Sequence, residues 1–212
     1  MSASELSSGC LLVFARAPVA GATKTRLIPA LGAEAAAQLS TRLLHRTLKT
    51  ACDYPIELWC TPSADHPVFD ECERSFRLER RVQQGGDLGA RMAGALEDAL
   101  RRASWALLIG TDCPELTAAD LHQAASALQD GADAVLGPAA DGGYYLIGLR
   151  RARTDLFLDM PWGTERVLRE TRRRLHESGC RWFELPVRWD LDRPEDLAHF
   201  NYLFPPEGVT VC

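Results

Sequence analysis

Three positively charged side chains stand in the loop that follows the first apolar run of the chain. The segment FARAPVAGATKTRL places Arg16, Lys24 and Arg26 around Gly21. Guanidinium and ammonium groups next to flexible backbone are typical partners of phosphate. A P-loop requires Gly directly before its Lys, and this loop fails that pattern because Thr23 precedes Lys24. The loop therefore predicts phosphate binding, with a basic surface loop as the alternative, and we expect the Lys24 side chain to be exposed.

Carboxylates occur at two later points of the chain, just past apolar or extended segments. Asp112 follows an apolar run in LLIGTDCPEL, and WDLDRPEDL places Asp190 and Asp192 two residues apart. Residues two apart in an extended segment point to the same side. Carboxylate oxygens bind hard cations such as Mg²⁺, which in turn hold nucleotide phosphates. We predict a Mg²⁺ or Mn²⁺ site on these residues, with helix capping as the alternative for Asp112 and for Asp192.

A glycine-rich segment, QQGGDLGARM, precedes a predicted helix. Its glycines could admit a base or ribose close to the backbone at a helix N-terminus. Gly86, Asp87 and Arg91 are therefore candidate nucleotide-binding residues. Gln84 breaks the GxGxxG spacing of a dinucleotide fold, which leaves a simple glycine-rich turn as the alternative.

Two further segments, GPAADGGYYLIGL and PWGTERV, are candidates for contact with an acceptor molecule. Asp141 and Glu165 are the carboxylates that could serve as a general base if an acceptor must lose a proton. Buried aromatic side chains and an N-capping Thr164 are the structural alternative. The candidate acceptor-binding residues are Gly142, Gly143, Tyr144, Trp162 and Thr164.

Short apolar runs alternate with longer amphipathic stretches, which is typical of an α/β sandwich with a largely parallel sheet. Ligands of such sheets bind at the carboxyl ends of the strands, where these loops should lie. The link between the strands predicted at 134–136 and 144–149 is too short for a helical crossover. We predict one domain over residues 1–212, with some antiparallel strands in its C-terminal half. Strands are also predicted at 10–15, 56–60, 76–82, 105–110 and 182–187, and helices at 33–50, 66–75, 88–102, 117–128, 164–177 and from about 194.

The composition excludes several classes of protein. A net charge of −5 argues against bulk nucleic-acid binding, since phosphate neutralisation needs a basic surface. The run Arg172–Arg174 is interpreted as the solvated face of a helix. No apolar run approaches the roughly 20 residues of a membrane span. The N-terminal segment lacks the basic region of a secretion signal, and seven scattered cysteines without a CxxC pair suit reduced thiols in the core. We therefore expect a cytoplasmic protein.

Taken in order, the motifs resemble those of the glycosyltransferase-A superfamily, and in particular its radical-SAM/selenodomain-associated transferases. The pattern FxKxPxxGxxKTRL, QxGxDLGxRM, TDxP, DGGYYLIGL, PWST and DxDxPEDL spans nearly the whole chain, which departs from it with Arg16 for Lys and WGT for WST. The order of these motifs is also similar to that of the phospholactate guanylyltransferases. The resemblance implies a three-layer αβα sandwich with a mixed, mostly parallel sheet of about seven strands, nucleotide near the first loop and a metal on the TDxP aspartate. It carries over to Lys24, Arg26, Asp87, Asp112, Asp190 and Asp192.

Two reactions fit this resemblance, and a third possibility is a non-catalytic nucleotide-binding protein. In glycosyl transfer, a metal on Asp112 neutralises a departing nucleoside diphosphate while a small-molecule acceptor attacks the sugar. In nucleotidyl transfer, Lys24 and Arg26 clamp a triphosphate and a phosphorylated small molecule displaces pyrophosphate. Positioning and charge supply most of the catalysis in the second case. A homodimer is also conceivable if Trp59 or Phe204 is exposed.

Overall fold

A computed structural model of the protein describes residues 9–203 and contains a sheet of seven strands in the order β3-β2-β1-β4-β6-β5-β7. Strand β6 runs antiparallel to both of its neighbours, and the remaining pairs are parallel. The expected mixed, mostly parallel sheet is confirmed, as is the absence of a βαβ crossover between β5 and β6. The strands are β1 (Cys10–Arg16), β2 (Ile56–Thr61), β3 (Leu78–Val82), β4 (Ala106–Ile109), β5 (Ala134–Pro138), β6 (Tyr144–Leu149) and β7 (Trp182–Glu184).

Alternating side chains of the sheet face two separate layers of helices. Leu11 and Val13 of β1 belong to a core cluster with the buried side chains of α2, α3 and α5, whereas Cys10 and Leu12 join a second cluster with α4 and α6. Each fully buried leucine of this kind stabilises the fold by about 1.5–3 kcal/mol. The three-layer αβα sandwich is therefore confirmed. The helices are α1 (Ile28–Leu31), α2 (Ala33–Thr50), α3 (Pro67–Ser75), α4 (Leu88–Leu100), α5 (Ala118–Gln129), α6 (Val167–Glu177) and α7 (Asp196–Leu203).

Helix α1 and the 3-10 turn before it, Thr25–Leu27, are additions to the sequence-based assignment. Pro29 and Gly32 precede the helix predicted at residues 33–50, and both residue types often interrupt a helix. Proline is nevertheless well accommodated in the first turn of a helix, because its missing N–H has no intrahelical partner there. Pro29 occupies that position in α1, and Gly32, at φ +82°, joins α1 to α2.

Three of the element boundaries that differ from those predicted have a local reason. Strand β3 begins later than residue 76 because the Phe76 N–H donates to Cys72 O and completes the end of α3. Helix α6 begins at Val167 instead of 164, because the Thr164 hydroxyl donates to Pro161 O within a preceding turn. Thr164 is therefore not its N-cap. Strand β7 ends two residues before Pro186, which has no N–H to donate.

Several expectations about the surface are also resolved within residues 9–203. Trp59 is only 7% exposed, and its indole N–H donates to Glu57 Oε2 at 3.1 Å, so this residue does not meet the condition set for a homodimer. Phe204 lies outside the described residues. The run Arg172–Arg174 is confirmed as a charged helix face, because its guanidinium groups pair with glutamates on α6 and with Glu184. None of the described helices is long and apolar enough to cross a bilayer.

A charged pair fixes the last part of the chain against α5. The Thr117 hydroxyl and the Asp120 carboxylate form a reciprocal cap at the start of α5. Arg188 Nη2 also donates to both oxygens of Asp120 at 2.9 Å, and Asp120 is 4% exposed. Burial raises the pKa of Asp120, but the hydrogen bonds from Arg188 and Thr117 outweigh it, so the pKa lies below the usual value.

We expect Arg188→Met to lower the free energy of unfolding by about 3 kcal/mol at pH 7, because it leaves a buried carboxylate without its partner. The deficit should shrink at pH 4. In the parent the lowered pKa keeps Asp120 ionised and stabilising until the pH falls below its usual range, whereas in the variant burial raises the pKa and protonation relieves the cost. Denaturant unfolding at both pH values measures this.

The control is Arg101→Met, which removes an exposed i,i+4 pair with Glu97 and should cost below about 0.5 kcal/mol. Equal effects of the two substitutions, or a deficit that grows at pH 4, would contradict the role given to Arg188.

Candidate functional site

A cleft of about 700 Å³ lies at the carboxyl ends of β1 to β4, where the sequence had placed the chemistry. The loop after β1, the turn after β4, the start of β6 and the segment before α7 all reach it. Most of the predicted phosphate- and metal-binding residues are thereby brought together. Those that line the cleft are Arg16, Lys24, Arg26, Arg91, Asp112, Asp190 and Asp192.

Lys24 lies at the centre of this arrangement. Its Nζ is 2.8 Å from Asp112 Oδ1 and donates to Leu191 O at 2.5 Å. The side chain is 5% exposed, so the expectation of an exposed lysine was wrong. Lys24 also has φ 47° and ψ 41°, a left-handed conformation that costs a non-glycine residue about 1–2 kcal/mol. The contacts of the ammonium group hold the loop in this unfavourable conformation.

The burial of Lys24 has a structural cause in the neighbouring apolar cluster. Leu27, three residues later, is fully buried and packs with Leu43 of α2, Leu191 and Phe200. The Leu191 N–H in turn donates to Asp112 O at 2.8 Å. The loop after β1, the turn after β4 and the segment before α7 are therefore joined at one point.

Asp190 is a half-buried carboxyl group in the same place. It makes no hydrogen bond to the part of the chain between residues 9 and 203. Burial, followed by the negative charges of Asp112 and Asp141, raises the pKa of Asp190 to about 7, although Lys24 lowers it. The cleft thus concentrates more carboxylates than its nearest cation can neutralise, which favours an additional bound cation.

Arg26 and Asp192 form an ion pair at the open side of the cleft. Within residues 9–203 the Asp192 carboxylate accepts no backbone N–H of α7, whereas its own N–H and that of Arg193 donate to Asp196 Oδ2. Helix α5 is capped by Thr117. Helix capping therefore explains neither the side chain of Asp192 nor that of Asp112.

The donor chemistry of the cleft fits Mg²⁺ or Mn²⁺. Within residues 9–203, no three His, Cys, Asp or Glu side chains are gathered closely enough to chelate a metal. Mg²⁺ commonly takes one or two carboxylates and completes its shell with water and substrate phosphates. Asp112 and Asp190 provide two hard carboxylates of that kind, and Asp192 is held by Arg26.

Of the three nucleotide-binding residues predicted in the glycine-rich segment, one lines the cleft. Arg91 lines the cleft, and its Nε donates to Gly85 O at 3.2 Å. Asp87 is the N-cap of α4, where its Oδ1 accepts from the Ala90 N–H at 2.7 Å. Gly86 and Asp87 line neither this cleft nor the cavity beside it.

Gly21 also lies outside the lining of the cleft. It has φ +82° with nothing within 4 Å of the position a Cβ would take, so it serves the turn between Arg16 and Lys24. Arg16, the last residue of β1, is exposed at the cleft.

A second cavity of about 220 Å³ adjoins the cleft and contains most of the predicted acceptor-binding residues. The two cavities share Phe14, Leu88, Gly110, Tyr144 and Tyr145. Of the predicted residues, Asp141, Gly143, Tyr144, Trp162 and Thr164 line the second cavity.

The two candidate general bases differ in position. Asp141 lines the second cavity, and its Oδ1 accepts from the Gly143 N–H at 2.8 Å. Glu165 is exposed and lines neither cavity. The geometry therefore favours Asp141 over Glu165.

Two motif glycines allow close packing around this second cavity. A Cβ on Gly142 would lie 2.5 Å from the Glu165 Cα, and the residue has φ +88°. A Cβ on Gly89 would lie 2.6 Å from Phe157 O and 2.7 Å from Trp162 Nε1. Gly142 thus brings the β5–β6 turn onto the start of α6, and Gly89 brings α4 onto the segment that contains Trp162.

Several lining residues were missed from the sequence. Thr61 and Gln83 end or follow β2 and β3, so the rule that ligands bind at the carboxyl ends of strands could have found them. Phe14, Leu88 and Tyr145 line both cavities, but apolar and aromatic residues gave no signal that separates them from the core.

Comparison with known proteins places the chain in a family. Residues 43–164, more than half of the chain, match the family described as "Uncharacterized protein conserved in bacteria (DUF2064)". The chain belongs to this family. The DUF2064 region contains the strands from β2 to β6, together with Asp112, Asp141 and Trp162. No curated protein is a significant match to the chain.

One solved structure is 30% identical to this chain. It comes from Desulfovibrio desulfuricans G20, and its name assigns it provisionally to the nucleotide-diphospho-sugar transferases. The two structures superimpose with a TM-score of 0.85, and the match covers 95% of this DUF2064 chain and 90% of the Desulfovibrio chain. CMP:2-keto-3-deoxy-manno-octonic acid synthetase complexed with CTP is 12% identical, with TM-score 0.59 and coverage of 93% and 98%. Rv0371c of Mycobacterium tuberculosis H37Rv, in complex with manganese, is 17% identical, with TM-score 0.55 and coverage of 91% and 97%.

These likenesses confirm the expected nucleotide-diphospho-sugar transferase fold and support a transferase. At 12% and 17% identity, the last two structures show the fold alone.

The substitution Lys24→Met tests the central contact of the cleft. Methionine keeps much of the side-chain volume but leaves Leu191 O without its donor and Asp112 without its cation, so the free energy of unfolding should fall by about 1–3 kcal/mol. In a double-mutant cycle with Asp112→Asn, the coupling should be about 1 kcal/mol, because Asp112 is half exposed.

The matched control is Arg26→Met, in which the lost ion pair is exposed on both sides and should cost less than about 1 kcal/mol. Additive effects of Lys24→Met and Asp112→Asn would show that the two groups do not stabilise one another.

Proposed function

We propose that this protein is a metal-dependent transferase that uses a nucleotide donor, and that it moves a sugar from a nucleotide-diphosphate sugar to a small-molecule acceptor. The observation that carries the proposal is the contact of the buried Lys24 with Asp112, beside Asp190, in a cleft that opens into a second cavity. Cations for phosphate and carboxylates for metal thus meet next to a separate compartment for another reactant. The motif order supports a place among the radical-SAM/selenodomain-associated transferases.

The nucleotide would lie with its phosphates over the loop after β1. Arg16, Lys24, Arg26 and Arg91 line the cleft from two sides and offer charged donors to phosphate oxygens. The fold is shared with the CTP-bound synthetase, which supports a nucleotide in this position. Because the cleft is wider than a single phosphate, Thr61 and Gln83 at its far side are available to the base or ribose.

The metal would be held by Asp112 and Asp190, with Asp192 close by. When bound, Mg²⁺ or Mn²⁺ supplies charge neutralisation for the departing phosphates. The shared fold of the manganese-bound Rv0371c supports a divalent metal. The six cysteines in the described part of the chain are free thiols, four of them buried, which supports the reducing cytoplasm as the compartment.

Lys24 would exchange partners when the nucleotide binds. In the structure its ammonium group lies 2.8 Å from Asp112 Oδ1. It therefore neutralises a carboxylate that the metal would otherwise use. A phosphate placed in the cleft offers Lys24 a new anionic partner and so releases Asp112. The protein would therefore bind metal weakly alone and more strongly together with a nucleotide.

For sugar transfer, the acceptor would lie in the second cavity with its reacting group on Asp141. The bond formed joins the acceptor oxygen to the sugar carbon, and the bond broken joins that carbon to the diphosphate. The acceptor proton passes to Asp141, and the diphosphate leaves in the cleft. Asp141 is positioned for this by its hydrogen bond from Gly143.

Nucleotidyl transfer is the second candidate function. The four cations that line the cleft suffice for a triphosphate, and the CTP-bound synthetase has the same fold. An acceptor oxygen would then attack the α-phosphorus and displace pyrophosphate, which requires positioning and charge but no protein nucleophile.

A thermal-shift and product assay tests both candidates. With Mg²⁺, a panel of nucleotide-diphosphate sugars and nucleoside triphosphates should include a compound that raises the Tm of the parent. Asp112→Asn should weaken the metal-dependent binding at least about tenfold while the fold is retained, a loss of about 1.4 kcal/mol. Release of free nucleoside diphosphate identifies sugar transfer, and release of pyrophosphate identifies nucleotidyl transfer. No shift with any compound, with or without metal, would overturn the proposed function.

Titration with Mn²⁺ in the absence of nucleotide tests the partner exchange of Lys24. Because Lys24→Met removes the competing cation from Asp112, it should bind Mn²⁺ at least about tenfold more tightly than the parent, as measured from the free Mn²⁺ signal in electron paramagnetic resonance. Lys49→Met, the same change on the exposed face of α2, should have no effect. Equal Mn²⁺ affinities for the parent and Lys24→Met would refute the exchange.

A further inference from the structure

We infer that the second cavity binds the acceptor through a single apolar ring that carries one hydroxyl or amino group, and that it selects against polyhydroxylated and phosphorylated acceptors. This inference rests on the proposed function, because it names the substrate class for the acceptor side of the same site. It comes from the shape, the free hydrogen-bonding groups and the charge of the cavity.

Apolar and aromatic side chains form most of the wall. Met92 of α4 and Val167 of α6 face it from one helical layer, and Phe14 and Leu108 come from the sheet. Trp162 packs edge-on against Tyr144, with ring centroids 6.4 Å apart. At about 220 Å³ the cavity accommodates a single ring, and burial of the apolar surface of such a ring favours binding.

The polar groups of the cavity are largely occupied by the protein itself. The Thr164 hydroxyl donates to Pro161 O at 2.7 Å and accepts from the Arg166 N–H. Asp141 Oδ1 accepts from Gly143. The Tyr145 hydroxyl donates to Pro186 O at 3.0 Å, so among the side chains of the lining the other oxygen of Asp141 remains for a ligand.

The Tyr144 hydroxyl and the Trp162 indole N–H have no hydrogen-bond partner among residues 9–203, but protein atoms cover both. The Trp162 nitrogen faces α4 at Gly89 and not the open cavity. A sugar placed here would therefore bury several hydroxyl groups without partners, which opposes its binding. One hydroxyl or ammonium group can be satisfied by Asp141.

The charge of the cavity favours the same class of ligand. Its lining, which lies wholly in the described residues, contains no Lys, Arg or His, and Asp141 is its charged member. Asp141 also acts on Asp190 at the edge of the cleft, so a phosphate group on the acceptor would meet two carboxylates. A neutral alcohol avoids this repulsion, and an ammonium group is attracted.

Leu88 extends the apolar surface to the mouth of the cavity. It is the first residue of α4, is 44% exposed and lines both the cavity and the cleft. An exposed leucine at the junction shields the reacting group of an acceptor from water on one side. It therefore places the apolar part of the acceptor next to the departing diphosphate.

Four probes of similar size test the inference: benzyl alcohol, benzylamine, benzyl phosphate and methyl glucoside, each titrated into the Mg²⁺-loaded protein and followed by ligand-observed NMR. We expect benzyl alcohol and benzylamine to bind at least about tenfold more tightly than the other two. Asp141→Asn should remove the advantage of benzylamine over benzyl alcohol. Trp162→Leu should weaken both at least about tenfold, whereas Trp182→Leu, at a tryptophan outside both cavities, should leave them unchanged.

Nucleotide-induced change in Tm, measured on the same variants, separates the two proposals. If Trp162→Leu does not fold, Val167→Phe fills the cavity and should also exclude the ring probes. Three results would overturn the acceptor class alone. The first is tighter binding of benzyl phosphate or methyl glucoside, and the second is binding of the ring probes that survives both cavity variants. The third is a protein that still binds nucleotide but binds no ring probe. A protein that ranks the ring probes as expected but binds no nucleotide overturns the proposed function.

Discussion

The contact between the ammonium group of Lys24 and Asp112 is the interaction on which the cleft depends. Lys24 joins two segments that are 167 residues apart through Leu191 O, and it does so from a left-handed backbone conformation that lysine does not adopt without compensation. The buried positive charge also moderates the carboxylates, because it opposes the burial and the negative charges that raise the pKa of Asp190. Removing this charge therefore affects the shape of the loop, the position of the segment before α7 and the electrostatics of the cleft together.

The sheet divides the chemistry between its two halves. Strands β1 to β4 bring the cations and Asp112 to one side of the carboxyl edge, and the β5–β6 turn with α6 brings Asp141 and Trp162 to the other. Close packing at Gly89 and Gly142 ties the second half to α4 and α6, because no other residue leaves room for the backbone that lies against it. The charged and the apolar compartments thus share part of their wall but take their charged groups from different elements, which keeps the cations of the cleft apart from the second cavity.

Much of this arrangement was accessible from the sequence because the polar loops follow apolar strands and the edge of the sheet gathers them. The burial of Lys24 was not accessible from the sequence, because it depends on the Leu191 carbonyl group, which is 167 residues away. Asp87 was assigned to the nucleotide, yet its carboxylate caps α4, a local role that the same sequence pattern allows equally. Thr164 was considered as a cap and instead stabilises a turn. The contacts of Lys24, Asp87 and Thr164 share a cause: the three-dimensional structure selects hydrogen-bond partners that residue spacing does not specify.

Strand β6 is the element that runs against the direction of both of its neighbours, and its reversal lets a tight turn take the place of a crossover helix. The turn delivers Asp141, Gly142 and Gly143 to the edge at which the other strands end. Its length can change without altering the register of β1, β2 and β4, which hold the charged loops. Insertion or deletion at this one turn can therefore change the lining of the second cavity among members of the family, while the strands that hold the charged loops keep their places.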